Sequence, residues 1–172
     1  MIRIGISGWS KHSHSFCYVN LEQIRELKKL SSLIYFYERE PLFNNWDKLN
    51  SNISKDVYYI DIMENIRRGD KDMEYNISYD IAFPPKITLR NSSCKMIFMV
   101  SEYSKLTTNY IDRVGGSDQL VSLYNEADKI ITPSIWSRNS LIASGAPENK
   151  LRVINHGAAP TQEINYDQKS KT

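Results

Sequence analysis

The chain has 172 residues, of which 41% are hydrophobic and 24% charged, and a formal net charge of +2. That length suits one domain, able to bury about 70% of its unfolded surface without disulfide or metal staples. The balance excludes a disordered or histone-like chain, and nothing clusters Lys and Arg as nucleic-acid binding requires.

Short apolar runs predict strands at Ile2–Ser7, Leu33–Tyr37, Val57–Ile60, Tyr79–Phe83, Met96–Val100, Lys129–Thr132 and Leu151–Ile154. Runs such as Met96-Ile97-Phe98-Met99-Val100 are continuously apolar, the pattern of strands covered on both faces in a parallel sheet. Between Phe16 and Leu30, the residues Phe16, Val19, Gln23, Ile24, Leu27 and Leu30 follow helical spacing, with Glu22, Arg25, Glu26 and Lys28 outside. A second helix is expected from Ser134 to Ser144, capped by Ser134 and ended by Gly145. Strands alternating with helices imply a doubly wound, mostly parallel α/β fold of the Rossmann-like kind.

Cys17 reads as a thiol in a helix and Cys94 as one just before a strand, with neither disulfide nor metal spacing. The amino terminus enters a strand directly, and no apolar run nears the length of a membrane span, so the expected compartment is the cytoplasm.

Ligands of open α/β sheets bind beyond the carboxyl ends of the strands, where strand order reverses. The loops to inspect are therefore Gly8-Trp9-Ser10-Lys11-His12-Ser13-His14, Glu38-Arg39-Glu40-Pro41, Pro84-Pro85-Lys86, Ser101-Glu102-Tyr103, Pro133-Ser134 and Asn155-His156-Gly157.

The stretch Glu126-Ala127-Asp128-Lys129-Ile130-Ile131-Thr132-Pro133-Ser134-Ile135-Trp136-Ser137, followed by Gly145-Ala146-Pro147-Glu148-Asn149-Lys150-Leu151-Arg152-Val153-Ile154-Asn155-His156-Gly157, resembles two consecutive segments of family 4-like glycosyltransferases of the GT-B fold. Tyr79 to Pro85, Met99 to Tyr103 and the first strand with Gly8 resemble other strand ends of those enzymes more loosely. Such enzymes have two Rossmann-like domains, and the second carries most nucleotide-sugar contacts and a pair of glutamates seven residues apart, which this sequence lacks. The resemblance thus implies a single amino-terminal, acceptor-side domain over residues 1–157, with 158–172 a polar tail or the start of an interdomain linker. The donor domain would lie in cis or in a partner chain.

By that resemblance the Gly8 loop, including Trp9 and Ser10, faces the donor pyrophosphate. A glycine before a helix also lets backbone N–H groups approach a phosphate, the alternative being a tight turn without ligand. A Gly8→Asp change would then leave folding intact and abolish transfer. His12 and His14 are candidates to bind phosphate or a sugar hydroxyl, against a solvated loop or backbone-bonded imidazoles, and no third ligand is near for a metal. Glu102 is the candidate catalytic carboxylate, as general base or acceptor-hydroxyl ligand, against a surface acid capping the next helix. Tyr103 shares its loop and is a candidate substrate contact.

Glu38 is a candidate for acceptor or ribose binding, against an ordinary strand-end charge cluster. Ser134 reads as a cap and Trp136 as packing on the sheet. Arg138 is exposed by helical position and available to an anion, and His156-Gly157 is the expected hinge.

The implied reaction moves a sugar from a nucleotide donor to an acceptor hydroxyl with retention, using no required metal or other cofactor. The alternatives are a non-catalytic glycan- or partner-binding module without the donor domain, and a dehydrogenase, disfavoured because the first loop lacks G-x-G-x-x-G.

Overall fold

The computed structural model describes residues 1–11, 14–30, 33–41 and 57–156. His12, Gly157 and the 158–172 tail, named above as candidate ligand, hinge and linker, lie outside the described residues. The elements in chain order are β1 (Arg3–Gly8), α1 (Ser15–Lys28), β2 (Leu33–Glu38), α2 (Val57–Glu64), β3 (Arg67–Arg68), β4 (Tyr75–Ile81), β5 (Ser92–Phe98), α3 (Thr108–Val114), α4 (Ser117–Glu126), β6 (Lys129–Thr132), α5 (Ile135–Ala143) and β7 (Leu151–Val153). The strands form one open sheet in the order β3-β2-β1-β4-β5-β6-β7, every pairing parallel. This is a doubly wound Rossmann-like α/β fold, as the alternation of elements predicts.

Residues alternate between the two faces of each strand, and that alternation divides the core. Ile4, Ile6, Ile34, Phe36, Tyr79, Ile81 and Phe98 pack with Cys17, Leu21 and Ile24 of α1 and Ile62 of α2. Ile97, Met99, Ile130 and Leu151 face the other way, toward Leu120, Leu123 and Tyr124 of α4 and Leu141 of α5.

Four expectations are corrected. Val57–Ile60 begins helix α2 instead of forming a strand. The third strand is the two-residue edge piece Arg67–Arg68. β4 and β5 each start about four residues earlier than their apolar runs, at Tyr75 and Ser92, which puts Cys94 inside β5. In α1 the buried stripe is Cys17, Asn20, Leu21 and Ile24, whereas Leu30 is exposed and Phe16, Val19 and Leu27 are only partly covered.

The expected start and stop of α5 are both present: Ser134 Oγ accepts from Ser137 N at 3.1 Å, and Gly145 takes φ of 90° just past the end. Among the described residues no helix is long and apolar enough to cross a membrane.

Candidate functional site at the carboxyl edge of the sheet

Strand order reverses between β1 and β4, and the end of β1 is where Gly8 stands. A Cβ built on Gly8 would lie 2.6 Å from the Ile81 carbonyl oxygen and would overlap Asn20 Nδ2. Asn20 is buried on α1, and its Nδ2 donates to Trp9 O and to Ile81 O, both at 3.0 Å. One side chain thus clamps the ends of β1 and β4 to the helix between β1 and β2, in the space that only glycine leaves open. An aspartate at position 8 would therefore oppose folding, which corrects the expectation that Gly8→Asp leaves folding intact. Asn20 was missed from sequence, although a polar residue on an otherwise apolar helical stripe is a visible signal.

Trp9 is buried, its Nε1 donating to Glu40 O at 2.9 Å, so its indole is a core group and its backbone carbonyl belongs to the clamp. Ser10 is buried too: its amide donates to Glu38 Oε1 at 3.1 Å and its hydroxyl to Glu38 Oε2. Glu38 therefore ties the β2 loop to the β1 loop. His14 caps α1, its Nδ1 accepting from Phe16 N at 3.2 Å, with its ring against Trp9 and Phe16. Burial holds its pKa below the ordinary imidazole value, which favours the neutral ring that an acceptor Nδ1 needs.

Under this edge lies a buried carboxylate absent from the sequence expectations. Asp80 of β4 receives the Thr88 amide on both oxygens at 3.1 Å. Burial raises its pKa to about 6, while Thr88, the Ser7 hydroxyl and the positive charge of Arg39 act in the opposite direction. Arg39, after β2, reaches over the Trp9 ring and donates to Pro84 O, spanning the crevice from the β2 side to the β4 side.

The β5 loop is built differently. Ser101 is buried, its amide donating to Ser137 Oγ and its hydroxyl accepting from Ser140 Oγ, both at 2.8 Å. Ser144 Oγ accepts from Leu106 N at 2.8 Å. Serines 137, 140 and 144 stand three and four residues apart on one face of α5 and its carboxyl end, so they meet the loop as a column. This column fastens both ends of the segment that displays Glu102 and Tyr103 to solvent. The next helix, α3, is capped by Thr107, whose Oγ1 accepts from Tyr110 N at 3.2 Å, so capping is not the role of Glu102.

The remaining candidates stand apart. Arg138 is ion-paired to Glu148 at 2.5 Å and only 28% exposed, so the free exposed cation expected there is corrected. Trp136 is 59% exposed and does not pack on the sheet as expected. The His156 ring stacks on Phe98 with centroids 5.4 Å apart, beside an apolar groove of 740 Å³ between α1 and the sheet. Tyr18, Val19, Leu27, Met96 and Ile154 also line that groove, away from the carboxyl-edge loops of β1 and β2. Among the described residues no group of three or more His, Cys, Asp or Glu is placed to hold a metal.

No protein-family model matches the chain, and no curated protein matches it in sequence. The fold does match solved structures. Among them is Anabaena HepE (Alr3699), solved in complex with UDP and glucose, with a TM-score of 0.54 at 11% identity over 92% of this chain. At that identity the likeness is one of fold. The chain spans 45% of the HepE chain.

Proposed function

We propose that this domain is the acceptor-side half of a family 4-like GT-B glycosyltransferase, which moves a sugar from a nucleotide-sugar donor to an acceptor hydroxyl with retention. The observation that carries the reading is the fold match across 92% of the chain to a protein holding UDP and glucose. The motif resemblance from Glu126 onward agrees with it. On this reading the chain's 45% share of HepE corresponds to one half of such an enzyme, and the donor half comes from the same polypeptide or a partner.

The residues then divide the work by position. Gly8, Trp9 and Ser10, held by Asn20 and Glu38, stand at the switch point on the side given to the donor phosphates. On this reading Glu102, exposed on a loop fastened by serines, is the carboxylate that meets the acceptor hydroxyl, and the exposed Tyr103 beside it stacks on a sugar ring. No metal is required in this scheme.

The test begins with the native protein in its source cell, detected by an antibody to this domain and captured on it. Labelled UDP-glucose is then supplied to the captured material. A polypeptide or complex at least about twice the 20.0 kDa of this chain, with label passing to a glycan, is the expected result. A species near 20.0 kDa that transfers nothing from any nucleotide sugar would replace the reading with a non-catalytic binding module.

A further inference from the structure

Arg39 is held in place by its own backbone, whose amide donates to Gly8 O at 2.8 Å, continuing the β1–β2 pairing past the end of the strands. Its guanidinium carbon lies 5.9 Å from the centroid of the Trp9 ring. A guanidinium carries five N–H donors in a fixed fork. Among the described residues the guanidinium makes one hydrogen bond, from Nη1 to Pro84 O at the long distance of 3.4 Å. No carboxylate of a described residue pairs with it.

The nearby acids are engaged elsewhere. Glu38 holds Ser10 through both oxygens, and Asp80 is turned to the Thr88 amide. Burial is the largest influence on the Arg39 cation and opposes its charge, with Asp80 and Tyr37 only partly offsetting that. A half-buried cation whose fork is hardly used by the described residues is placed to take an anion at its open donors. The place is the crevice where strand order reverses, where open α/β sheets take ligands.

We infer that Arg39 is an anion-recognition residue of this edge, accepting a phosphate or carboxylate group carried by the sugar acceptor. The inference rests on the acceptor-side reading given above. The planar fork suits two oxygens of either group, while the Trp9 face holds the fork against the loop. The acceptor is accordingly an acidic sugar or a sugar phosphate, not a neutral glycan.

The test follows the Arg39 Nε–Hε signal by NMR in the full 172-residue chain, titrated separately with glucose 6-phosphate, glucuronate, glucose and UDP. Glucose 6-phosphate and glucuronate should shift that signal and bind at least tenfold more tightly than glucose. Their affinity should fall as salt rises, and UDP should leave the signal in place. Arg39→Gln should weaken both acidic ligands at least tenfold, and Arg39→Lys, which keeps the charge without the fork, should fall between. Unchanged backbone spectra away from residue 39 verify that each variant is folded.

A signal moved by UDP alone would overturn the assignment to the acceptor in favour of the donor diphosphate. A signal moved by none of the four would overturn the site altogether. Efficient transfer by the native enzyme to neutral acceptors, with Arg39→Gln as active as wild type, would defeat this inference while leaving the glycosyltransferase reading intact. Absence of any transfer, with acid-dependent binding retained, would defeat the glycosyltransferase reading and the acceptor assignment while leaving Arg39 as an anion site.

Discussion

At the scale of single residues, the carboxyl edge depends on polar side chains that sequence patterns rank as exposed. Asp80 is 2% exposed in β4, and its pKa rises from 3.8 to about 6 mainly because burial penalises the charged carboxylate. The native state therefore holds a proton that the unfolded chain releases between pH 4 and 6. The stability tied to that proton is complete below the unfolded value and is lost as pH rises through about 6. Thermal unfolding of wild type and Asp80→Asn at pH 5 and pH 7.5 reads this directly. The wild type should lose ~1 kcal/mol relative to the variant across that interval. Parallel pH profiles for the two proteins would show that Asp80 ionises without penalty in the folded state.

At the scale of elements, α5 shows how a short helix fixes a loop it does not continue into. Ser101 N has Ser137 Oγ as its partner, and both residues are nearly inaccessible to water. Ser137→Ala would leave a buried amide unpaired, an omission that costs about 1–3 kcal/mol. Ser134→Ala removes only the helix cap, at about 1 kcal/mol. Hydrogen exchange should separate the two, with amides 101–106 opening faster in Ser137→Ala and unaffected in Ser134→Ala. Equal loosening in both variants would mean that the loop follows the helix as a whole and not the serine column.

Elements also show what the sequence made legible. β2 and β6 are apolar runs of strand length, and α5 carries both a cap and a glycine stop, so each is readable from local chemistry. Val-Tyr-Tyr-Ile at 57–60 is an apolar, aromatic run that suits either strand or buried helix, and periodicity cannot separate the two at that length. Arg67–Arg68 has no apolar content to reveal it, since an exposed edge strand is defined by its pairing with β2. The first halves of β4 and β5 mix polar residues into the run, and Ser78 and Ser92 satisfy each other through hydroxyls 2.8 Å apart, a cross-strand match that sequence does not display. The site divides in the same way. Strand-end loops pointed to Gly8, Glu38 and Glu102 as candidates, whereas the Asn20 clamp and the Thr88–Asp80 contact join residues that only the tertiary fold brings together.

At the scale of the molecule, the sheet is the shared wall of two apolar layers. In β5, Phe98 faces α1 while Ile97, with Met99 just past the strand, faces α4 and α5, and β6 divides Ile131 from Ile130 in the same way. Neither layer can open without stripping one face from strands that the other layer still needs covered. The carboxyl edge inherits this coupling, because the Asn20 clamp joins β1 and β4 from one side and the serine column holds the β5 loop from the other. Unfolding should therefore be one cooperative event. Native-state hydrogen exchange checks it: the amides of Ile6 and Ile130, one behind each layer, should share the same opening free energy to within ~0.5 kcal/mol. Ile97→Ala, a cavity on the α4–α5 side costing about 2–5 kcal/mol, should lower both amides equally. A drop confined to Ile130 would mean that the two halves of the sheet unfold separately, and that the two sides of the crevice are joined only by their surface contacts.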